Sequence, residues 1–421
     1  MKSVFIIIIL LLSSFQQLFS QDVEYAEKIL NTICSEAYQG RGYAYGGDKM
    51  ASAYIINELK KNHVKPFSKE YTQDFFINVN TLYGSNKLQI NGITLEPGVD
   101  YIISSSSNSI KGNFTTVYID KNLIDDSLRF RRLIQTNLSN KVIIIDTLGI
   151  KRKDFSQAYN LITKRNFLKA KAVIKIEDKD LLYVPSQIQK NFALITISRE
   201  AFPKSFSSVN IDIESRYIEN YKTQNIVGFL KGKSDTSIVL SAHYDHIGLM
   251  GIDTYFPGAN DNGSGIAMLL NLAKYFSNQK KLKYNIVFMF FSGEELGLLG
   301  SKYYTENPIF PLSDIKFLLN LDMVGSGDEG IKVVNGSVFK KEFNRLSDIN
   351  AENNYLEDVK IRGAAANSDH YFFYEKGVKS FFIYTLGKYK EYHNINDTPE
   401  NLPLIEFEDL SLLLIDFIHS F

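Results

Sequence analysis

From Gln224 onward the chain alternates between near-continuous apolar runs and polar loops followed by helical spacing. Ser237–Ala242, Tyr284–Phe291, Lys316–Leu321 and Val378–Tyr384 are apolar on both alternating sets of positions, as expected of strands covered on both faces. Gly265–Phe276 and Leu296–Tyr304, lying between such runs, carry the three-to-four spacing of helices. The pattern predicts an α/β fold with a mainly parallel sheet sandwiched by helices. Nearer the N-terminus, Val23–Leu30 and Lys49–Lys60 also have helical spacing, and Gly40-Arg41-Gly42 and Gly46-Gly47 mark a turn between them. Between Tyr71 and Ile213 the texture changes to short β-type runs, including Thr116–Ile119, Val142–Ile145, Ala172–Ile176 and Ala193–Ile197. This stretch is expected to form a small β-rich insert, the alternative being a continuation of the same sheet. The expected organisation is an export signal over residues 1–20, an N-terminal helical part over 21–75, the insert over 76–220 and the α/β domain over 221–421.

Composition narrows the function. At 421 residues the chain is too long for one small core. Lysine plus arginine equals aspartate plus glutamate at 47 each, so no excess positive field exists to hold a nucleic acid or an anionic membrane. Met1-Lys2-Ser3 followed by the apolar run Val4–Leu12, then polar residues and Ser20-Gln21, reads as a cleavable export signal, with a retained anchor as the alternative. No later segment is apolar for long enough to span a bilayer. The single cysteine, Cys34, excludes an intrachain disulfide and is expected as a buried small hydrophobe on a helix.

Chemistry concentrates where the apolar runs end. Those ends carry His243-Tyr-Asp245, Asn260-Asp261-Asn262, Glu294-Glu295, Asp322 and His393. Strand ends are where an open α/β sheet gathers side chains around a ligand. Each feature alone has an ordinary explanation: a satisfied histidine, a helix-capping loop, acids at a helix start, a surface histidine. Together they form a ligand set. Asp245 is placed to accept the other ring N–H of a metal-bound His243. Asp261 projects two oxygens, one for each of two ions. Of the Glu294-Glu295 pair, expected to open a helix, one could bind metal while the other takes a proton from water. Asp322 ends an apolar run, where an uncompensated charge would cost several kcal/mol. Histidine and carboxylate ligands suit zinc and could also hold cobalt or manganese. Two ions roughly 3.5–4 Å apart that share a water constitute hydrolytic machinery.

The segments SAHYDHIG, PGANDNGSG, FSGEELGLLGS, LNLDMVG, NSDHYFF and YHNINDTPENL resemble the M28 family of di-zinc peptidases, aminopeptidase Y-like and leucine aminopeptidase-like. The likeness covers Gln224 to the C-terminus and the region of Gly40–Gly42 and Ala51–Leu59. The insert is similar to a protease-associated domain. The resemblance implies a zinc exopeptidase-like fold and two zinc ions per chain. In that scheme His243, Asp261 and Asp322 bind one ion, and Asp261, Glu295 and His393 bind the other. Glu294 would be the general base, and Asp245 would orient His243. Tyr392 would hydrogen-bond the oxyanion, with a packing role as the alternative. Asp369 and His370 would support the site, while His246 is expected to point away from it. Asp322 and Glu294 are expected beside the substrate's α-amine. The expectation is an exported aminopeptidase acting on peptides. Glutaminyl cyclase, carboxypeptidase and a non-catalytic binding ectodomain stay open, although the absence of tryptophan weighs against the cyclase.

Overall fold

Two sheets organise the chain, and the alternation of apolar side chains decides how each is covered. The computed structural model describes residues 23–67, 69–146, 148–149, 159–178 and 180–421. The expected export segment lies outside these described residues.

The first sheet has nine strands: β1 (Lys65–Pro66), β2 (Thr72–Thr81), β3 (Arg216–Leu230), β4 (Ser237–His243), β5 (Asn285–Phe291), β6 (Ile315–Leu321), β7 (Ile331–Val334), β8 (Val359–Ile361) and β9 (Ser380–Thr385). Their order is β1-β3-β5-β4-β6-β9-β7-β8, with β2 also on β3. The centre, β5-β4-β6-β9, is parallel throughout. The flanks are not: β3 runs antiparallel to β1, β2 and β5, and β7 antiparallel to β9. The sheet is therefore mixed rather than mainly parallel. Strand direction at an edge depends on which connection returns there, and apolar periodicity carries no record of that.

Among the described residues, seven helices accompany this sheet: α1 (Val23–Ile33), α2 (Gly47–Lys61), α3 (Gly265–Ser277), α4 (Leu299–Glu306), α5 (Lys340–Asn353), α6 (His370–Glu375) and α7 (Phe407–His419). Side chains alternate across a strand, and β4 and β5 use both sets. Ile238, Leu240, Ile286, Phe288 and Phe290 join one core with α1, α2, α3 and α7. Val239, Val287, Met289 and Phe291 join another with Tyr304 of α4 and Phe373 of α6. Every residue of β4 and β5 is buried. Burying each phenylalanine contributes on the order of 1.5–3 kcal/mol. α1 meets its core through Ala26, Ile29, Leu30 and Ile33, the single stripe of an amphipathic helix. Cys34 is buried just beyond the end of α1 rather than within it.

The second sheet takes eight strands between residues 86 and 213. Its centre, 110–119, 141–146, 172–177 and 193–198, is parallel, and its edges are antiparallel. It has its own apolar core, joined by Ile247, Met250 and Phe256 from the loops after β4. The long ribbon of β2 and β3 leads into and out of it. Among the described residues no helix is long and apolar enough to cross a membrane.

Candidate metal centre

Four parallel strands point their carboxyl ends at one crevice, with β4 between β5 and β6, the place where chain connections diverge to either side. β4 ends on His243. The segment after β5 supplies Glu294 and Glu295, β6 is followed by Asp322, and His393 arrives on the loop after β9. Asp261 comes from the turn before α3, a stretch buried throughout residues 259–264.

Asp261 is the shared element. Its Oδ1 lies 3.2 Å from His243 Nε2 and its Oδ2 lies 3.0 Å from His393 Nε2. His243 Nε2 is also 3.3 Å from Asp322 Oδ1, and His393 Nε2 is 3.0 Å from Glu295 Oε2. Two donor sets thus meet on one carboxylate, each with its ligand atoms within 4.8 Å of one another. His393 Nε2 is buried and close to two carboxylates, yet it makes a properly angled hydrogen bond to neither. A nitrogen so placed, facing carboxylate oxygens from which water is largely excluded, fits a cation between them. Imidazole and carboxylate donors without thiolate fit zinc.

The charge balance agrees with the donor geometry. Burial, with Asp322, Glu295 and Asp369 close by, pushes the Glu294 carboxyl well above the usual carboxylate range, although His243 opposes it. Burial also works against charge on the two histidines. Asp322 and Glu294 nevertheless hold His243 well above its ordinary value, and Glu295 with Asp261 raises His393 to about 11. Asp261 goes the other way: burial would raise it, but the His243 and His393 rings beside its two oxygens keep it well below the usual range.

Several positions differ from the sequence expectation. The other ring nitrogen of His243, Nδ1, meets the backbone carbonyl of Asp245 at 3.1 Å, while the Asp245 carboxylate is 3.9 Å away. That carboxylate instead accepts the Tyr43 hydroxyl at 2.8 Å and the Glu294 N–H at 3.2 Å. It therefore ties β4 to the glutamate turn, and its carbonyl orients the histidine. Glu294 and Glu295 do not open a helix. Gly293 (φ 76°), Gly297 (φ 105°) and Leu298 (φ 61°) turn the chain through left-handed conformations, so α4 begins only at Leu299. His246 points inward: it is fully buried, with Nδ1 2.8 Å from Glu295 Oε1. Past the end of β4 the strand's alternation no longer governs, and Asp245 and His246 both face the site.

Asp369 is buried beside the cluster, its charge felt by Glu294. His370 is not brought to the cluster; its ring packs 5.4 Å from Phe382. The residue of that motif touching a candidate ligand is Ser368, whose hydroxyl donates to Asp322 Oδ2 at 2.8 Å. Ser368 in turn accepts from Asn320 Nδ2 at 2.7 Å, and Asn320 accepts from Ser241 at 2.8 Å. Supports of this kind typically contribute 10- to 100-fold in metal affinity. Ser368→Ala should weaken zinc binding by about that factor, measured by competition with a chromophoric chelator; unchanged affinity would contradict the role. Tyr392 lies flat on His393, ring centres 3.9 Å apart and 13° from parallel, and is 40% exposed. The second sheet's segment reaches the rim as well: Tyr183 N–H donates to the His393 carbonyl at 3.0 Å, and Gln187 Nε2 to the Leu296 carbonyl at 2.7 Å.

Residues 225–418 match the family model described as Peptidase family M28. Among curated proteins, the chain is 30% identical over 247 residues to Aminopeptidase YwaD of Bacillus subtilis, covering 55% of this chain and 52% of that protein. It is 35% identical over 131 residues to probable leucine aminopeptidase 2 of Aspergillus oryzae, covering 31% and 25%. The chain thus spans about half the length of the first relative and a quarter of the second. Among solved structures, it matches BSAP, a zinc aminopeptidase from Bacillus subtilis, with a TM-score of 0.70 at 20% identity over 96% of this chain and 95% of that one. It matches the aminopeptidase from Aneurinibacillus sp. strain AM-1 with a TM-score of 0.63 at 19% identity over 95% and 94%. At these identities the two structures show a shared fold.

Proposed function

Through residues 225–418 the chain belongs to peptidase family M28, and from that premise we propose that it is an exported di-zinc aminopeptidase cleaving the N-terminal bond of peptides. The observation that carries the reading is Asp261, with a different histidine facing each of its oxygens. His243, Asp261 and Asp322 would hold one ion; Asp261, Glu295 and His393 would hold the other. When bound, the pair supplies Lewis acidity toward the scissile carbonyl and lowers the pKa of water toward neutrality.

The remaining work falls to the chain's own groups. Glu294 belongs to neither donor set and takes the proton from the attacking water, then returns it to the leaving amine. Its carboxyl sits among Asp322, Glu295 and Asp369, and a carboxylate there can take a proton in one step and return it in the next. Tyr392, exposed above His393, would hydrogen-bond the oxyanion. Asp322 and Glu294 give the site the negative character that draws a free α-amine. The insert is read as a protease-associated-like domain, and residues 1–20 as the export signal.

Free, N-blocked and C-blocked versions of one peptide series, each with and without chelator, test the reading. The expected result is sequential release of N-terminal residues from free and C-blocked peptides, no release from N-blocked ones, and loss of activity in chelator. Cleavage that ignores the N-terminal block, or survives complete metal removal, would contradict it.

A further inference from the structure

Arg41 is wholly buried, and no carboxylate pairs with it among the described residues. Its five N–H donors are matched by five recorded contacts. Nε reaches the Tyr244 carbonyl at 3.1 Å. Nη1 reaches the Pro257 carbonyl at 2.7 Å and Cys34 Sγ at 3.4 Å. Nη2 reaches the carbonyls of Gly258 at 2.7 Å and Asp261 at 3.2 Å. Three of these acceptors belong to the turn that presents Asp261. The N–H groups of the same turn are taken by a second buried charge, Asp397. Its Oδ1 accepts from Asn260 N at 2.8 Å and from the Tyr389 hydroxyl at 2.8 Å, and its Oδ2 from Asp261 N at 3.1 Å. The Asp397 carbonyl accepts from Ala259 N at 2.9 Å.

We propose that Arg41 and Asp397 are a pair of positioning residues that fix the Asp261 turn, a cation holding its carbonyls and an anion holding its amides. The proposal rests on the di-zinc reading of the site. Burying a guanidinium is costly unless every donor is met, and here the turn's carbonyls meet most of them. Asp397 lies four residues beyond His393, so its carboxylate couples the two loops that face each other across the second donor set. Gly258 permits the approach: at φ +62°, a Cβ there would stand 2.4 Å from the Asp261 carbonyl oxygen and 2.7 Å from Arg41 Nη2. Sequence patterning gives no sign of this device, because an arginine between glycines acquires meaning only when the fold brings residues 257–261 to it.

Zinc affinity by chelator competition and metal-free thermal stability, measured for the full chain as wild type, Arg41→Ala, Arg41→Lys and Asp397→Asn, test the pair. Folded Arg41→Ala should bind zinc about 10- to 100-fold more weakly, and guanidinium below denaturing concentration should restore part of the loss. Arg41→Lys, with three donors in place of a planar fork, should fall between Arg41→Ala and wild type. Asp397→Asn should also bind zinc more weakly, and guanidinium should not restore it. Folded variants with wild-type zinc affinity would overturn the proposal, as would failure of guanidinium to restore any affinity. Failure of all three variants to fold would overturn it as well, since that outcome assigns the pair to the scaffold. Absence of zinc uptake by the wild type would be a failure of the di-zinc reading instead, and is seen before any variant is compared.

Discussion

Glu294→Gln should leave zinc uptake at the wild-type level and lower kcat by about 10²- to 10⁴-fold, the usual contribution of a positioned general base. The two parts of that expectation have separate origins. Zinc uptake should survive because both donor sets are complete without Glu294: one is His243, Asp261 and Asp322, the other Asp261, Glu295 and His393. Turnover should fall because an amide at this position keeps the shape and the backbone bond from Glu294 N–H to Asp245 but cannot accept and return a proton. KM should change little. Steady-state kinetics together with metal analysis of the same preparation check both parts, and a kcat near wild type would remove Glu294 from its role.

Asp261→Ala should have the broader effect, because it is the one change that strips a ligand from both sets. Zinc content should fall below two per chain and activity should be lost. The thermal stabilisation that zinc gives the wild type should largely vanish. A site held at 100 times its dissociation constant stabilises a fold by about 2.7 kcal/mol, so the stabilisation expected of two filled sites is measurable in a melting curve. Asp322→Ala, which touches one set only, should keep part of that stabilisation. Equal responses from the two variants would argue against a shared carboxylate.

The sequence was informative wherever a physical constraint acts locally. β4, β5, β6 and β9 are legible because strands buried on both faces must be apolar at every position, and the observed bounds fall within two residues of the runs that mark them. The residues that converge on the crevice are legible for a related reason: a charge or imidazole directly after such a run needs a partner. Features set by tertiary placement were hidden. His246 reads as the residue after Asp245 and turns out to contact Glu295, because the chain has already left the sheet at His243 and strand alternation no longer applies. The segment Glu294–Leu299 has the composition of a helix start, but Gly297 and Leu298 take left-handed backbone and delay α4. Ser368 reaches Asp322 from 46 residues away, and no local pattern marks such a partner. The antiparallel flanks of the first sheet follow from long connections, including the passage through the insert between β2 and β3.

Anomalous diffraction at the zinc edge from crystals of the zinc-loaded protein would locate the ions themselves. Two peaks roughly 3.5–4 Å apart are expected, each about 2.0–2.2 Å from a different oxygen of Asp261, with His243 and His393 on opposite sides. No peak at Asp261, or zinc bound only elsewhere on the chain, would contradict the di-zinc reading.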